Sequence, residues 1–500
     1  MSSILGKTRA GLRANLLAGA LPASDSPPDL KILRETLPNG LNVVLAEDRT
    51  RPVTNLQVWY HVGSKDEQAG RTGFAHLFEH LMFRGSKNVA PEEHMRLVRQ
   101  AGGQVNAYTS FDQTVYWETF PSNYLERMLW LEADRMASLD VSQENFTKER
   151  QVVEEERRMR YENQPYGLVS EAVLAATYKV YPYKHLPIGS VEDLEHAALQ
   201  DVQDFHSTFY VPNNATLVLV GDFSAAEAFR LARFHLGPVP RRRDVPRVTA
   251  VEPPHTAPNF GTVKLANIPL PAVTLSWILP PMSSPDTYAL DVAGILLSSG
   301  QSSRIYRKLV YQEQLAQFAF GQAQSLEGPS FFFGAAVVNQ GKDIEKLSAG
   351  LESVIQELAT TPPGADELTK AKNQIIAGFI SGREGVQSKA DALGRCAVLL
   401  GDPARYNTEL ESYRQVSAED VRRVTAQYLA TQSVTRLVFP ASAQPSTSDE
   451  EKHEAEKPRG DKPGDKPGDK PGDKPDGAQP EGGKSLQPEG GRSPQPEGGR

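Results

Sequence analysis

Apolar and polar positions alternate along Leu33–Glu47 on either side of Pro38-Asn39-Gly40, which predicts two strands joined by a turn. Val53–Val62 continues as a strand. A helix is expected near Glu92–Ala101, an alternating strand over Gln104–Trp117, and an amphipathic helix over Pro121–Leu139 with Leu125, Met128, Leu129, Glu132 and Met136 at helical spacing. Helices over Thr147–Tyr161, Leu168–Tyr178 and Val191–Tyr210 follow, then a buried strand at Ala215–Val220 and a helix at Ala225–Leu236. Past the Pro- and Arg-rich Gly237–Pro258 the order recurs: strands in Val263–Leu279, helices at Tyr288–Leu297 and Ser302–Leu309, a strand at Phe331–Val338, helices at Ile344–Leu358 and Ala365–Ile380, and a closing strand at Val434–Phe439. The pattern predicts an α+β chain of two similar αβ domains, each a mixed sheet with helices packed on one face. The expected organisation is a flexible leader over 1–28, a first domain over 29–240, a linker over 241–260, a second domain over 261–441 and a disordered tail over 442–500.

Composition narrows the function. Apolar residues make up 39% of the 500, enough for packed cores although a polar tail dilutes the figure. That tail repeats Asp-Lys-Pro-Gly from Asp461 and Gln-Pro-Glu-Gly-Gly from Gln479, Gln487 and Gln495, a composition that cannot bury enough surface to fold. A net charge of −8 offers no basic footprint for nucleic acid. Cys396 is the only cysteine, which excludes an intramolecular disulfide and a thiolate metal site. No apolar run is long enough to span a membrane. The first residues carry Lys7, Arg9 and Arg13 before the short apolar Leu16–Leu21, too short for a signal peptide core. A frayed or overlong start is expected ahead of an organelle presequence, and a soluble cytoplasmic location ahead of a periplasmic or organelle-matrix one.

The densest chemistry lies in Gly73-Phe74-Ala75-His76-Leu77-Phe78-Glu79-His80-Leu81-Met82-Phe83, read as one helix between Gly70/Gly73 and Gly85. His76 and His80 fall one turn apart on one face and could both reach a tetrahedral zinc. Glu79 points toward the same space, where a carboxylate can take the proton of a metal-activated water. The order is H-x-x-E-H, the inverse of the commoner H-E-x-x-H. Ionisable groups on an otherwise apolar helix are costly to bury unless a metal or partners satisfy them. A third protein ligand is expected from Thr147–Tyr161, where Glu149, Val152, Val153 and Glu156 share a face while Glu154 and Glu155 point elsewhere. An inward Glu156 would complete the set and Glu149 would orient a ligand histidine, but helix geometry alone allows the two roles to be exchanged.

These motifs resemble the inverzincin metallopeptidase family of pitrilysin, insulin-degrading enzyme and the mitochondrial processing peptidase, and most closely its short two-domain subunits. The likeness runs from Leu37 to Phe439. It is carried by Leu37-Pro38-Asn39-Gly40-Leu41, Val62-Gly63-Ser64 with Glu67, the His76 helix, Gly102-Gly103 with Asn106-Ala107-Tyr108-Thr109-Ser110, Glu149-Arg150 through Glu156, Pro187-Ile188-Gly189 and Tyr210-Val211-Pro212-Asn213-Asn214. The resemblance implies one zinc per chain held by His76, His80 and Glu156, Glu79 as general base and Glu149 as supporting carboxylate. It implies half of a clamshell around short or unfolded polypeptides, with substrate added as a strand along Asn106 and Ala107.

In one place the chain departs from the family pattern. An Arg and a Tyr seven residues apart usually close over the scissile carbonyl, and here those positions hold Val310 and Gln317. The resemblance therefore implies a homologous partner subunit supplying that pair, with a homodimer as the alternative. A non-catalytic assembly subunit is the competing function, set against the intact His76, Glu79 and His80.

Overall fold

The computed structural model describes residues 29–442. The leader expected over 1–28 and, apart from Ser442, the tail expected over 442–500 lie outside the described residues. The first half contributes β1 (Ile32–Thr36), β2 (Asn42–Glu47), β3 (Val53–Tyr60), α1 (Phe74–Leu81), α2 (Glu93–Gln100), β4 (Gln104–Thr109), β5 (Thr114–Pro121), α3 (Leu125–Ser138), α4 (Gln143–Arg157), α5 (Val169–Thr177), α6 (Val191–Glu195), α7 (Leu199–Phe209), β6 (Ala215–Gly221) and α8 (Ala225–His235). The second half contributes β7 (Asn259–Thr262), β8 (Ala272–Leu279), α9 (Asp286–Ser298), β9 (Ala316–Gln324), β10 (Ser330–Val338), α10 (Ile344–Thr360), α11 (Ala365–Ser381), α12 (Val386–Val398), α13 (Arg405–Gln415), α14 (Ala418–Val424) and β11 (Thr435–Phe439).

The expected duplication is present in the sheets. Strands run β1-β2-β6-β3-β5-β4 in one and β7-β11-β8-β10-β9 in the other. Leaving out β1, the two orders correspond strand for strand, and each contains one parallel pair in the same place, β2 with β6 and β7 with β11. Each therefore ends on a hairpin whose outer strand, β4 or β9, has one unpaired edge.

The halves are tied by exchanging helices. One face of the first sheet packs on its own helices in a core that includes Leu56, Val58, Phe78, Met128 and Leu217. Its opposite face presents Val44, Trp59, Val115 and Val218 to Ala390, Leu393 and Cys396 of α12. Gly394 is required there, because a Cβ on it would stand 2.2 Å from the Trp59 ring. In return α5 lays Val169 and Val173 against Ala272, Leu437 and Phe439 of the second sheet. Residues 241–258 carry no strand or helix, and β7 begins at Asn259, inside the stretch expected as linker.

Where local pattern and fold differ, long-range contacts account for it. Gln104–Trp117 is a hairpin, not one strand, because Ser110–Gln113 turn to let β4 pair with β5. Val191–Tyr210 divides into α6 and α7. Ser302–Leu309 ends in a wide turn over Tyr306–Gln312 in place of a regular helix. Strand β9 and helices α12 to α14 were not expected: α12 and α13 are covered by the first sheet and β9 and α14 by distant segments of the second half, so no clean single-face periodicity is left in the sequence.

One ionic cluster crosses between the halves. Lys65 Nζ lies 3.0 Å from Asp112 Oδ1 and also contacts Glu327, which follows β9. His61 Nε2 is 2.7 Å from Glu327 Oε2, and the Glu327 N–H donates to Asp112 Oδ2 at 3.0 Å. Lys65 and Asp112 are buried, so removing the cation leaves the Asp112 carboxylate without a counter-charge. Lys65→Met is expected to cost about 3–5 kcal/mol in urea unfolding. Burial raises the Glu327 pKa, but His61 and Lys65 outweigh it and hold the carboxyl down from 4.5 to about 2. Its contribution is then full above pH 4.5 and lost as pH falls through about 2. The melting-temperature difference between wild type and Glu327→Gln should shrink across that window; a constant difference would contradict the assignment.

Candidate metal and peptide-binding site

The site begins with the entry to α1. Glu67 accepts from the N–H groups of Gly73 at 2.9 Å and Ala75 at 2.8 Å, satisfying two donors that the first helical turn leaves free. Gly73 sits at φ +94°, and a Cβ there would stand 2.7 Å from the Ile188 carbonyl oxygen. The Tyr116 hydroxyl donates to the Phe78 carbonyl at 2.8 Å, holding the helix from the sheet side. Phe74, Leu77, Phe78 and Leu81 fill the core, and the opposite face carries His76, Glu79 and His80.

Helix α4 crosses this face. His80 Nε2 lies 3.3 Å and His76 Nε2 3.8 Å from Glu156 Oε2, and the three donor atoms fall within 4.8 Å of one another. Ligands about 2.1 Å from a tetrahedral zinc stand roughly 3.4 Å apart, so the donor set matches that ion in kind and spacing. Glu149 Oε2 is 3.4 Å from His80 Nδ1, the ring nitrogen turned away from Glu156. Glu79 Oε2 is 4.0 Å from His76 Nε2 and accepts from the Thr109 hydroxyl at 2.7 Å. Asn106 and Ala107 line the same recess, which has a volume of about 1050 Å³. Val310 and Gln317 are not in its walls: Val310 packs on the second core, and Gln317 is exposed on β9.

The shared face of α4 holds for Glu149, Val153 and Glu156 but needs two corrections. Val152 is 44% exposed and lines the recess, because it lies at the rim of the arc where α1 no longer covers the helix. Glu154 points elsewhere as expected, but not into solvent: it is 9% exposed and has Arg150 at 3.5 Å on the side packed by α6.

The electrostatics follow from burial and from neighbours the sequence pattern did not single out. Burial and the adjacent His80 push His76 down to about 4. Burial also works against charge on His80, but Glu149 and Glu156 overcome it and hold the ring up at about 9. These shifts favour the protonated form of His80, between two carboxylates, and the neutral form of His76. Burial raises Glu79, opposed by the Thr109 hydrogen bond. Arg84 Nε pairs with Glu149 at 2.5 Å, and an Arg160 guanidinium nitrogen with Glu156 Oε1 at 2.7 Å. Thr109, Arg84 and Arg160 come from separate elements, and only Thr109 fell within a quoted motif.

Comparison with known proteins places the chain in a family. Residues 42–188 match the model described as Insulinase (Peptidase family M16), and residues 196–375 the model described as Peptidase M16 inactive domain. Zinc protease PqqE of Helicobacter pylori is 33% identical over 81% of this chain and 92% of its own length. The chain belongs to peptidase family M16. A crystal structure of a protease from Helicobacter pylori superposes with a TM-score of 0.78 at 31% identity, covering 82% of this chain and 100% of that one. A probable mitochondrial-processing peptidase subunit beta of Arabidopsis thaliana is 23% identical over 81% of this chain and 77% of its own length. No helix among the described residues of this M16 chain is long and apolar enough to cross a membrane.

Because Glu67 satisfies two helix donors, Glu67→Ala is expected to lower stability by about 1–2 kcal/mol, toward the upper end for a lost cap. Chemical denaturation measures it, and an unchanged midpoint would mean that water replaces the carboxylate without cost.

Proposed function

We propose that this chain is the metal-bearing subunit of a zinc endopeptidase that hydrolyses short or unfolded polypeptides. The observation that carries the proposal is the meeting of His76, His80 and Glu156 within 4.8 Å, with Glu79 beside them in a recess bordered by the unpaired edge of β4. In this reading His76 Nε2, His80 Nε2 and a Glu156 oxygen hold one zinc, which when bound supplies the Lewis acidity that makes water nucleophilic near neutral pH. Glu149 accepts from His80 Nδ1–H and fixes the ring orientation, while Arg160 occupies the other Glu156 oxygen. The Glu79 carboxylate, steered by Thr109, takes the proton of the attacking water and later delivers it to the leaving amine. The edge of β4 at Asn106 and Ala107 holds an extended peptide by main-chain hydrogen bonds, which accommodates many sequences.

His76→Ala or His80→Ala should remove zinc and hydrolysis together. Glu79→Gln should retain zinc by metal analysis while losing cleavage of an unstructured fluorogenic peptide, since an amide cannot accept the proton. Wild-type turnover by Glu79→Gln would eliminate it as the base.

The oxyanion half of the site favours a heterodimer. Val310 has no polar side-chain atom and Gln317 only a neutral amide, whereas the family pattern places Arg and Tyr at those positions. Loss of one such donor costs a hundred- to a thousandfold in rate, to order of magnitude. The zinc-loaded chain alone should therefore cleave slowly, and a homologous subunit carrying the pair should raise the rate by about that factor. Full activity from a homodimer of the unmodified chain would refute the requirement.

A further inference from the structure

Strand β4 separates two faces of the peptide track. Thr109 meets Glu79 on the side of α1, whereas the Tyr108 ring stands edge-on to Trp59 at 6.3 Å on the side of the second half. A peptide added to this edge must alternate its side chains between the same two sides. On the Tyr108 side lies a second cavity, about 800 Å³, between the two halves. It shares Tyr108, Thr109 and Pro187 with the recess of the His76 helix, so the two adjoin along β4.

The walls of that cavity are largely apolar, with Leu174 from α5 and Phe320, Phe331 and Phe333 from the second sheet. On the α12 side is Asp391. Its carboxylate accepts from Gln57 Nε2 at 2.8 Å, and that amide is itself fixed by the Trp59 indole, which donates to Gln57 Oε1 at 2.7 Å. Among the described residues Asp391 makes no ion pair, whereas the other charged groups in the wall are matched: Asp112 by Lys65 and Arg395 by Glu409. Burial raises the Asp391 pKa, with only the Gln57 hydrogen bond opposing. A carboxylate in an apolar cavity with one neutral donor gains most from a cation that brings its own hydrogen bonds.

We infer that this cavity receives a basic side chain of the substrate, arginine ahead of lysine, with Asp391 as its counter-charge. The aliphatic stem lies along the phenylalanine wall, the guanidinium reaches the carboxylate, and the aromatic faces favour the flat cation over a compact ammonium. Asp391 is then a specificity residue contributed by the second half to a peptide held on the first. The inference rests on the peptidase reading.

The test uses the full zinc-loaded chain carrying Glu79→Gln, to prevent turnover, and fluorescence anisotropy with unstructured peptides that differ at one residue: arginine, its neutral isostere citrulline, or glutamate. The arginine peptide should bind about ten- to a hundredfold more tightly than the citrulline peptide, the range expected for a hydrogen bond to a charged group. Asp391→Asn, which can keep the Gln57 contact, should remove that difference, and Asp391→Lys should shift preference to glutamate. Equal binding of arginine and citrulline peptides, or discrimination that survives in Asp391→Asn, overturns the basic-residue assignment and leaves the peptidase reading standing. Failure of every peptide to bind overturns both.

Discussion

Everything around α1 answers one constraint: imidazoles and carboxylates on an apolar helix must be neutralised where water is scarce. Glu79, Glu149 and Glu156 are set against Arg84, Arg160 and the proton on His80, each partner coming from a different turn or helix. The balance explains why the two histidines, one turn apart, differ so far in proton affinity. His76 faces burial and its neighbour, while His80 is clasped between two acids. A divalent ion entering this cluster would displace the His80 proton, so metal binding and proton release are coupled by the same contacts.

The helix could not hold that position alone. At eight residues it is too short to be stable by propensity, and it is positioned by Glu67 at its start, Tyr116 beneath it and α4 across its polar face. The loop that supplies Glu67 also supplies Lys65, whose partners reach into the second half through Glu327. The exchange of α5 and α12 between the sheets works in the same direction, giving each half part of the other's cover. The free edge of β4 and the cavity beyond it are thereby held in register with a second half that carries none of the residues of the donor set.

That division of labour also frames the departures at Val310 and Gln317. The second half still serves as a wall. Its β9–β10 hairpin brings phenylalanines and the Glu327 junction toward β4, while α12 brings Asp391 against the face of β3.

The local periodicities of the chain determined the α1 helix, the spacing of His76, Glu79 and His80, the duplicated order of elements and the inward face of Glu149 and Glu156. Each depends on neighbours within a turn or two, or on a two-residue strand repeat. The choice between Glu149 and Glu156 did not follow from that face, since both point inward; it depends on which carboxylate meets Nε2 and which meets Nδ1 of His80, a matter of how α4 crosses α1. The burial of Glu154 and the exposure of Val152 likewise depend on what α6 and α1 cover. The turn within Gln104–Trp117, strand β9 and the helices from Val386 onward were hidden because their apolar faces are completed by partners far along the chain. Periodicity reports how one segment divides between inside and outside. Only the tertiary structure decided which surface each inside face would meet, because that choice is settled by packing among all the segments at once.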